Sequence, residues 1–457
     1  MLFASLIAVA ILTLIYALLH HKRQRPTLPY PPGPTVASMP ADNAWVEYRN
    51  WGRVYGKLVY LQDRNILILN DSRAAIDLLE KRARIYSDRK MTPMMKLCAM
   101  PYSDNWRRKR KLFQQNFRQS TFLRNLITTP DKFMQHIMAL SQRIMFSSLW
   151  GLDVHPEDPL AQNAVKGVLA MGQTAIPGAF PAIERFPWLR LMPSWFPGCE
   201  FARVAEQCLK TVKEANTIPF DMAMDNLKTG KGTSLIAELA SKCEGDLTEI
   251  EAIKAMGTTS YLDTTASSIG SFTLTMVLHP DVQAKGQEEI DHMVGRDRLP
   301  TFEDRLSLPY IKAIYRIKHS SIEDDSYLGY HILKRCTVIP NIWAMNRDPD
   351  VYPRPDDFFP ERFLDSPGPF TSLNNISVYG FGRRVCIGRY MADNTVWLTI
   401  ASVLATLNLC KPKDKQGNDI AILEDYTSGF FRHPKPFQCS ITPCTPYAEK
   451  LIIAMAS

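Results

Sequence analysis

The chain is defined first by what it lacks. It has no Cys-x-x-Cys pair and no zinc-type spacing, and its nine cysteines are an odd number. That excludes a structural zinc module and argues against a disulfide framework, and it suits a reducing compartment with mostly free thiols. No internal repeat or low-complexity stretch is present, which excludes solenoids and disordered tracts. No basic stripe accompanies the net charge of +8, so nucleic acid is not an expected partner; an acidic partner or an anionic membrane surface is compatible. Apolar residues make up 46% and charged residues 22% of the chain, as in an ordinary globular protein rather than a disordered one. With 457 residues it can bury a large core.

One long hydrophobic run stands at the N-terminus. Leu2 to Leu19 carries no charge and as a helix would reach about 27 Å, close to the thickness of a bilayer's hydrocarbon core. No Lys or Arg precedes it, and a basic flank from His20 to Arg25 follows. A cleaved signal peptide wants the opposite charge order and a small-residue cleavage site, so the run reads as a retained anchor. The positive-inside rule then places everything after residue 21 in the cytosol. Pro26 to Pro34, ending in Pro31-Pro32-Gly33-Pro34, reads as a stiff extended hinge.

Downstream, Ala44 to Gly56 reads as a helix, and Lys57–Leu61 and Asn65–Leu69 as two strands around a polar turn. Ser72 is expected to cap a helix over Arg73–Lys81. Residues 120–250 alternate helical segments with Pro-rich loops. Glu249–Leu278 is the longest helix candidate, with Pro280 placed to start the next helix. Thr427–Arg432 reads as a turn, either at a surface hairpin or reaching into an active site.

The chemistry concentrates in Tyr379-Gly380-Phe381-Gly382-Arg383-Arg384-Val385-Cys386-Ile387-Gly388. One cysteine sits in a glycine-rich turn, behind two arginines and ahead of a helical run from Tyr390 to Leu407. Glycines permit positive φ and close backbone approach, and a thiolate at a helix N-terminus beside cations is stabilised as the anion. The stretch resembles the haem-binding signature F-x-x-G-x-R-x-C-x-G of the cytochrome P450 family, matching it at Gly382, Arg384, Cys386 and Gly388. Tyr379 stands where Phe is usual. Trp106 and Arg110, at i and i+4 in a basic helical pattern, resemble the family's W-x-x-x-R. Asp263-Thr264-Thr265 resembles the acid–Thr–Thr end of the oxygen-groove motif, and the segments Gly329–Tyr330, Pro340–Met345 and Pro360-Glu361-Arg362-Phe363 also match.

That resemblance implies a mainly α fold, the helical triangular prism with a small β-rich region, behind an N-terminal transmembrane helix. The implied layout is an anchor over 1–20, a basic and Pro-rich hinge over 21–34, and a haem-thiolate catalytic domain over 35–457. Cys386 would ligate the iron of haem b, with Gly382 and Gly388 shaping its loop. Arg384, Trp106 and Arg110 would hold the propionates. Thr264 would hydrogen-bond dioxygen and Asp263 would relay protons. The implied reaction inserts one oxygen atom of O2 into a lipophilic small molecule, a terpenoid or another fungal secondary metabolite. Electrons would come from NADPH through NADPH–cytochrome P450 reductase, docking near Arg383 and Arg389. The implied location is the endoplasmic reticulum membrane, single-pass, with the catalytic domain cytosolic.

Two departures accompany the match. Ser260 and Tyr261 stand where the oxygen-groove motif has a small residue and Gly. After Leu308–Arg316, which looks like the start of the E-x-x-R helix, the chain passes through Ile317-Lys318-His319-Ser320 without an E-x-x-R, so Arg362 lacks its recognisable partners. The first departure favours a haem-thiolate protein without monooxygenase turnover, the second a non-catalytic remnant; both stay open as alternatives.

Overall fold

Leu58–Leu61 (β1) and Ile66–Leu69 (β2) are four-residue apolar strands, buried along their whole length. Such short runs of β-branched and aliphatic residues, divided by the polar Gln62–Arg64 turn, favour a hairpin buried on both faces. They pair antiparallel with Leu58 opposite Leu69, as the sequence pattern predicts to within a residue. The computed structural model describes residues 28–35, 39–40, 43–86, 119–155, 158–175, 180, 182–183, 186–196, 199–243, 245–259, 264–311, 325–333, 336–352, 354–364, 379–382, 386, 389–427 and 432–456.

Helix α1 (Ala44–Tyr55) precedes this hairpin and packs on β1. After β2 comes α2 (Ser72–Ile76), which continues into a π turn over Asp77–Lys81. The cap is Asp71, not Ser72: its carboxylate accepts the Ala74 N–H at 2.9 Å, and Ser72 is the first helical residue and buried. Both residues are good caps by type, and the buried face of the helix decides between them. Asp325–Tyr327 (β3) and Tyr330–Ile332 (β4) form a tight hairpin whose turn residues Leu328 and Gly329 have φ of +50° and +81°. Thr337–Pro340 (β5) adds to β2 in parallel, giving the order β1-β2-β5.

The Pro-rich stretch is extended but seated on this sheet region. Pro32 O accepts the Tyr60 N–H at 3.1 Å, Pro29 O accepts the His331 N–H at 2.8 Å, and Tyr30 stacks on Tyr60 at 5.3 Å. The anchor expected over 1–20 lies outside the described residues; among those described, no helix is long and apolar enough to cross a membrane.

The helical body follows as α3 (Gln119–Thr128), α4 (Phe133–Met145, with a π turn Phe146–Trp150), α5 (Pro159–Ala175), α6 (Glu200–Lys228), α7 (Leu235–Ala240) and α8 (Leu247–Thr259). Then come α9 (Thr264–Leu278), α10 (Pro280–Met293), α11 (Ile342–Met345) and α12 (Arg389–Thr406). Leu407–Cys410 (β6) pairs antiparallel with Ser440–Pro443 (β7), and α13 (Pro446–Ala456) closes the chain. The single long helix expected over Glu249–Leu278 is described as α8 and α9, with residues 260–263 outside the described set.

The largest core joins α4 (Phe133, Ile137, Leu140), α9 (Ile269, Phe272, Met276) and α12 (Val396, Trp397, Ile400, Leu404). Helix α9 contributes its apolar side chains to this core, with Ala266, Ile269, Phe272, Met276 and Val277 buried. Helix α12 buries hydroxyls in that core without orphaning them: Thr399, Ser402 and Thr406 each donate to the carbonyl four residues earlier at 2.6–2.7 Å.

Candidate functional site

The glycine-rich turn is described at Tyr379–Gly382 and Cys386. Phe381 anchors it, 3% exposed among Ala75, Leu78, Leu79, Tyr86 and Met345. Gly380 and Gly382 take φ of +81° and +57°. At Gly382 a Cβ would stand 2.0 Å from the Leu79 carbonyl oxygen, so the turn is pressed onto the backbone of the π turn after α2. Only glycine satisfies both the dihedral and the approach. Across the turn the Cys386 N–H donates to the Tyr379 carbonyl at 2.8 Å, closing the loop three residues before α12. Cys386 is exposed, whereas Cys199, Cys208 and Cys336 are buried. Cys410 is exposed as well, at the end of β6, so the glycine-rich turn rather than exposure alone singles out Cys386; the three buried thiols are packing residues.

Thr264, half-buried, is the first residue of α9, and its carbonyl accepts the Ser268 hydroxyl at 2.8 Å. One turn on, the Ser267 hydroxyl donates to the Arg432 carbonyl. Arg432 belongs to a C-terminal hairpin in which Tyr426 bridges Pro434 and the Thr427 N–H donates to the His433 carbonyl at 2.8 Å. Pro434 lies in contact range of the α9 backbone, its Cδ 3.5 Å from where a Gly270 Cβ would stand. Arg432 and Pro434 therefore lie along the helix that begins with Thr264, while the turn itself, residues 428–431, lies outside the described residues. The Arg432 guanidinium packs over the Trp45 ring at 4.0 Å and the Tyr426 ring at 4.9 Å. Burial pushes its pKa down from the usual value.

Trp106, Arg110, Asp263, Arg384 and Gly388 lie outside the described residues, as do Ser260, Tyr261 and the stretch 312–324 where an E-x-x-R is missing. Two residues that the sequence reading missed hold the neighbourhood of that stretch. Glu289 on α10 accepts the N–H groups of Tyr310 at 3.0 Å and Ile311 at 3.4 Å. Burial pushes its carboxyl pKa up, and the two N–H donors work against that rise. One turn earlier, Lys285 pairs with Glu361 of the Pro360–Phe363 turn and holds that carboxyl below its usual range. Their i, i+4 spacing suggests a pair with each other, so no local signal pointed to these partners.

A glycine-pinned, exposed thiol opening a long buried helix, set in a mainly helical body with a small sheet, defines a metal-thiolate class of protein. The comparisons name the family. The Cytochrome P450 family model matches residues 124–441. The chain is 33% identical over 484 positions to cytochrome P450 monooxygenase COX1 of Coprinopsis cinerea, covering 93% of each chain. It is 32% identical over 501 positions to cytochrome P450 monooxygenase 208 of Postia placenta, covering 99% of this chain and 97% of the relative. It is also 33% identical over 468 positions to tryptamine 4-monooxygenase of Psilocybe cyanescens, covering 92% of each.

The chain belongs to the cytochrome P450 family. It is therefore an oxidoreductase of the monooxygenase type whose cofactor is haem, with a cysteine thiolate on the iron. Each of these alignments has more positions than the 457 residues of the whole chain, so the relatives carry residues within the matched stretch that this chain lacks.

Proposed function

We propose that the protein is a haem-thiolate monooxygenase that inserts one oxygen atom of O2 into a lipophilic small molecule, a terpenoid or another fungal secondary metabolite. Electrons come from NADPH through NADPH–cytochrome P450 reductase: RH + O2 + NADPH + H+ → ROH + H2O + NADP+. The observation that carries the reading is the Cys386 turn, whose thiol is exposed while Gly382 is seated against the Leu79 carbonyl. A turn fixed at both ends, with its one thiol accessible, fits a flat ligand laid against it, and the donor set fits thiolate ligation. When bound, haem supplies the oxidising chemistry, with the thiolate's electron density favouring O–O cleavage.

The chain's own residues do the rest. Cys386 is the ligand, with Gly382 and Gly388 shaping its loop. Arg384, Trp106 and Arg110 hold the propionates by charge and hydrogen bonding. Thr264, the first residue of α9, would hydrogen-bond dioxygen, and Asp263, the residue before it in sequence, would relay protons. The hairpin held by Ser267 covers the next turns of α9 and excludes water from that side. Residues 1–20 anchor the protein in the endoplasmic reticulum membrane as a single span, 21–34 form the hinge, and 35–457 work in the cytosol.

The test is the reduced, carbon-monoxide-bound absorption spectrum together with NADPH consumption in the presence of the reductase. A thiolate-shifted Soret band with turnover supports the proposal; folded protein without a Soret band sinks it. A second reading, a haem-thiolate protein without NADPH-driven turnover, is favoured by Ser260-Tyr261 in the oxygen-groove motif and by the missing E-x-x-R. The same experiment separates it, because the band would then come without turnover.

A further inference from the structure

The carbonyl on which Gly382 rests is offered by an irregular piece of helix. In the π turn Asp77–Lys81 the Arg82 N–H donates five residues back, to the Asp77 carbonyl at 3.1 Å. The Ala83 N–H donates to the Glu80 carbonyl at 3.2 Å, three residues back, where an α-helix would carry it to Leu79. The Leu79 carbonyl instead faces Gly382, its oxygen 2.0 Å from where a Cβ would stand. A side chain from far along the chain grips the first residue of this turn. The Tyr327 hydroxyl, at the end of β3, donates to the Asp77 carboxylate at 2.8 Å. Lys81 donates to the other oxygen at 2.7 Å, and the Arg82 guanidinium lies over the Tyr327 ring at 5.5 Å. Lys81 first and Tyr327 second hold the Asp77 carboxyl below its usual range. Burial first and Asp77 second push the Tyr327 hydroxyl up to about 12, so it remains a donor. Tyr327 is itself fixed. Leu328, directly after it, accepts a left-handed backbone at φ +50°, unusual for a residue with a Cβ, to make the tight turn. On the other arm of that hairpin the His331 N–H donates to the Pro29 carbonyl at 2.8 Å.

We propose that Asp77 and Tyr327 are a positioning clamp for the thiol loop. By tying the first residue of the π turn to β3, they keep the Leu79 carbonyl where Gly382 rests on it. They thereby hold the turn in which the Tyr379 carbonyl takes the Cys386 N–H. The path runs through contacts at each step: Tyr327 to Asp77, Asp77 through its turn to Leu79, Leu79 to Gly382, Tyr379 to Cys386. Tyr327 also packs against the cluster that buries Phe381 with Leu78, Leu79 and Tyr86, so one small core joins both ends of the path. The inference rests on the reading of Cys386 as the thiolate ligand. Asp77 and Tyr327 are not catalytic; they act through the backbone they hold. The rival is that burial of Phe381 alone seats the loop.

The test is a double-mutant cycle of Tyr327→Phe and Asp77→Asn in the full-length, haem-loaded protein. Tyr327→Phe keeps the ring under Arg82 and removes only the hydroxyl. Two further variants serve as references. Lys81→Met takes away the other partner of the same carboxylate, and Ser234→Ala removes the cap of α7, remote in sequence from the loop. Three quantities are read from each protein. Amide hydrogen exchange is followed by mass spectrometry in the peptide carrying Tyr379 to Cys386. The share of the reduced carbon-monoxide spectrum that keeps the thiolate shift is followed through a denaturant titration. Global melting is recorded alongside.

In Tyr327→Phe, exchange in the loop peptide should rise about tenfold, and the thiolate-shifted band should fade at a lower denaturant concentration than the helical signal. Asp77→Asn should act in the same direction, and the double variant should stay within about twofold of Tyr327→Phe alone. Lys81→Met should remain within about twofold of wild type, and Ser234→Ala should melt earlier without moving the loop or the band. A Tyr327→Phe protein that melts earlier but exchanges at the wild-type loop rate overturns the clamp and leaves the seat to Phe381. A Lys81→Met effect as large as that of Tyr327→Phe overturns it too, because Asp77 would then act within its own helix. Should Tyr327→Phe fail to fold, Asp77→Asn decides by the same loop-exchange criterion. A wild type with no thiolate-shifted band overturns the reading of Cys386, and the positioning role with it; a wild type with the band whose loop exchange neither variant moves overturns the clamp alone.

Discussion

Gly382 and Gly257 make close approaches of similar tightness, as Gly33 does against the Tyr60 carbonyl oxygen. A Cβ would fall 2.0 Å from the Leu79 carbonyl oxygen at the first and 2.1 Å from the Trp150 ring at the second. The obstacle at Gly382 is backbone, and the residue itself sits at φ +57°, so substitution is opposed twice. The obstacle at Gly257 is a side chain, and no left-handed backbone is required. The first seat holds the thiol loop and can accept nothing but glycine. The second holds a helix, and a change in its partner can relieve it. Equal geometric tightness thus carries unequal constraint, and what lies opposite the glycine decides which.

The sharpest way to break the comparison is at the thiol that the first seat exists to hold. Cys386→Ser should abolish the thiolate-shifted Soret band and reduce NADPH-driven turnover by about a thousandfold or more, since it removes the ligand that the family's chemistry requires. Melting that stays close to wild type would show that the loop itself survives. Gly382→Ala comes next. Strained φ together with backbone overlap should cost about 3 kcal/mol or more, measured by denaturant unfolding, and no side-chain truncation nearby should rescue it. Rescue by a substitution at Leu79 would show that the obstacle is not backbone after all.

A smaller effect is expected where α12 is braced at the start of the helix that follows Cys386. Arg298 grips Asp304 through two hydrogen bonds of 2.7 Å, and Thr301 donates both its N–H and its hydroxyl to the same carboxylate. The next residue, Arg305, pairs with Asp393 and Asn394 on α12. Arg298 holds the Asp304 carboxyl well below its ordinary 3.8. The folded pKa is depressed, so this stabilisation is full above about pH 4 and is lost as pH falls further, through the folded value. Asp304→Asn should lower stability at neutral pH by about 1 kcal/mol, Arg298 being half exposed, and should flatten the acid limb of a melting-temperature profile. An unchanged acid limb would remove Asp304 from the account.

The two caps should give the smallest effects. Asp71 caps the helix that leads to Leu79, and Ser234, whose hydroxyl accepts the Ala237 N–H at 3.1 Å, caps α7 beside Gly151 and Trp150. Either residue changed to Ala should cost about 1 kcal/mol in unfolding free energy. If the comparison holds, Asp71→Ala weakens the thiolate-shifted band before overall stability falls, and Ser234→Ala leaves that band alone.

Local patterns carried much of this protein. Pro280 begins α10, the apolar runs at 58–61 and 66–69 pair as a hairpin, and the helix after Cys386 spans Arg389–Thr406, each within a residue or two of its pattern. Turn chemistry and hydrophobic period act over a few residues, so they can be read from a few residues. The same holds for the thiol loop, whose glycines are demanded by the loop's own dihedrals. Contacts between distant segments were not legible. Ser267 reaches Arg432 across 165 positions, Tyr327 donates to Asp77 across 250, and nothing local distinguishes Ser267 from Ser268 or Asp71 from Ser72. Those choices belong to the faces that packing buries.

The sequence by itself determined the family, the thiol and the helical frame, because a loop motif needs only its neighbours to specify it. Only the tertiary structure decided that Gly382 rests on the Leu79 carbonyl, that Arg432 and Pro434 lie along the helix begun by Thr264, and that Trp150 fills the missing side chain of Gly257. A glycine's sequence context states that space is needed; what fills the space is set by elements that meet only when the core closes.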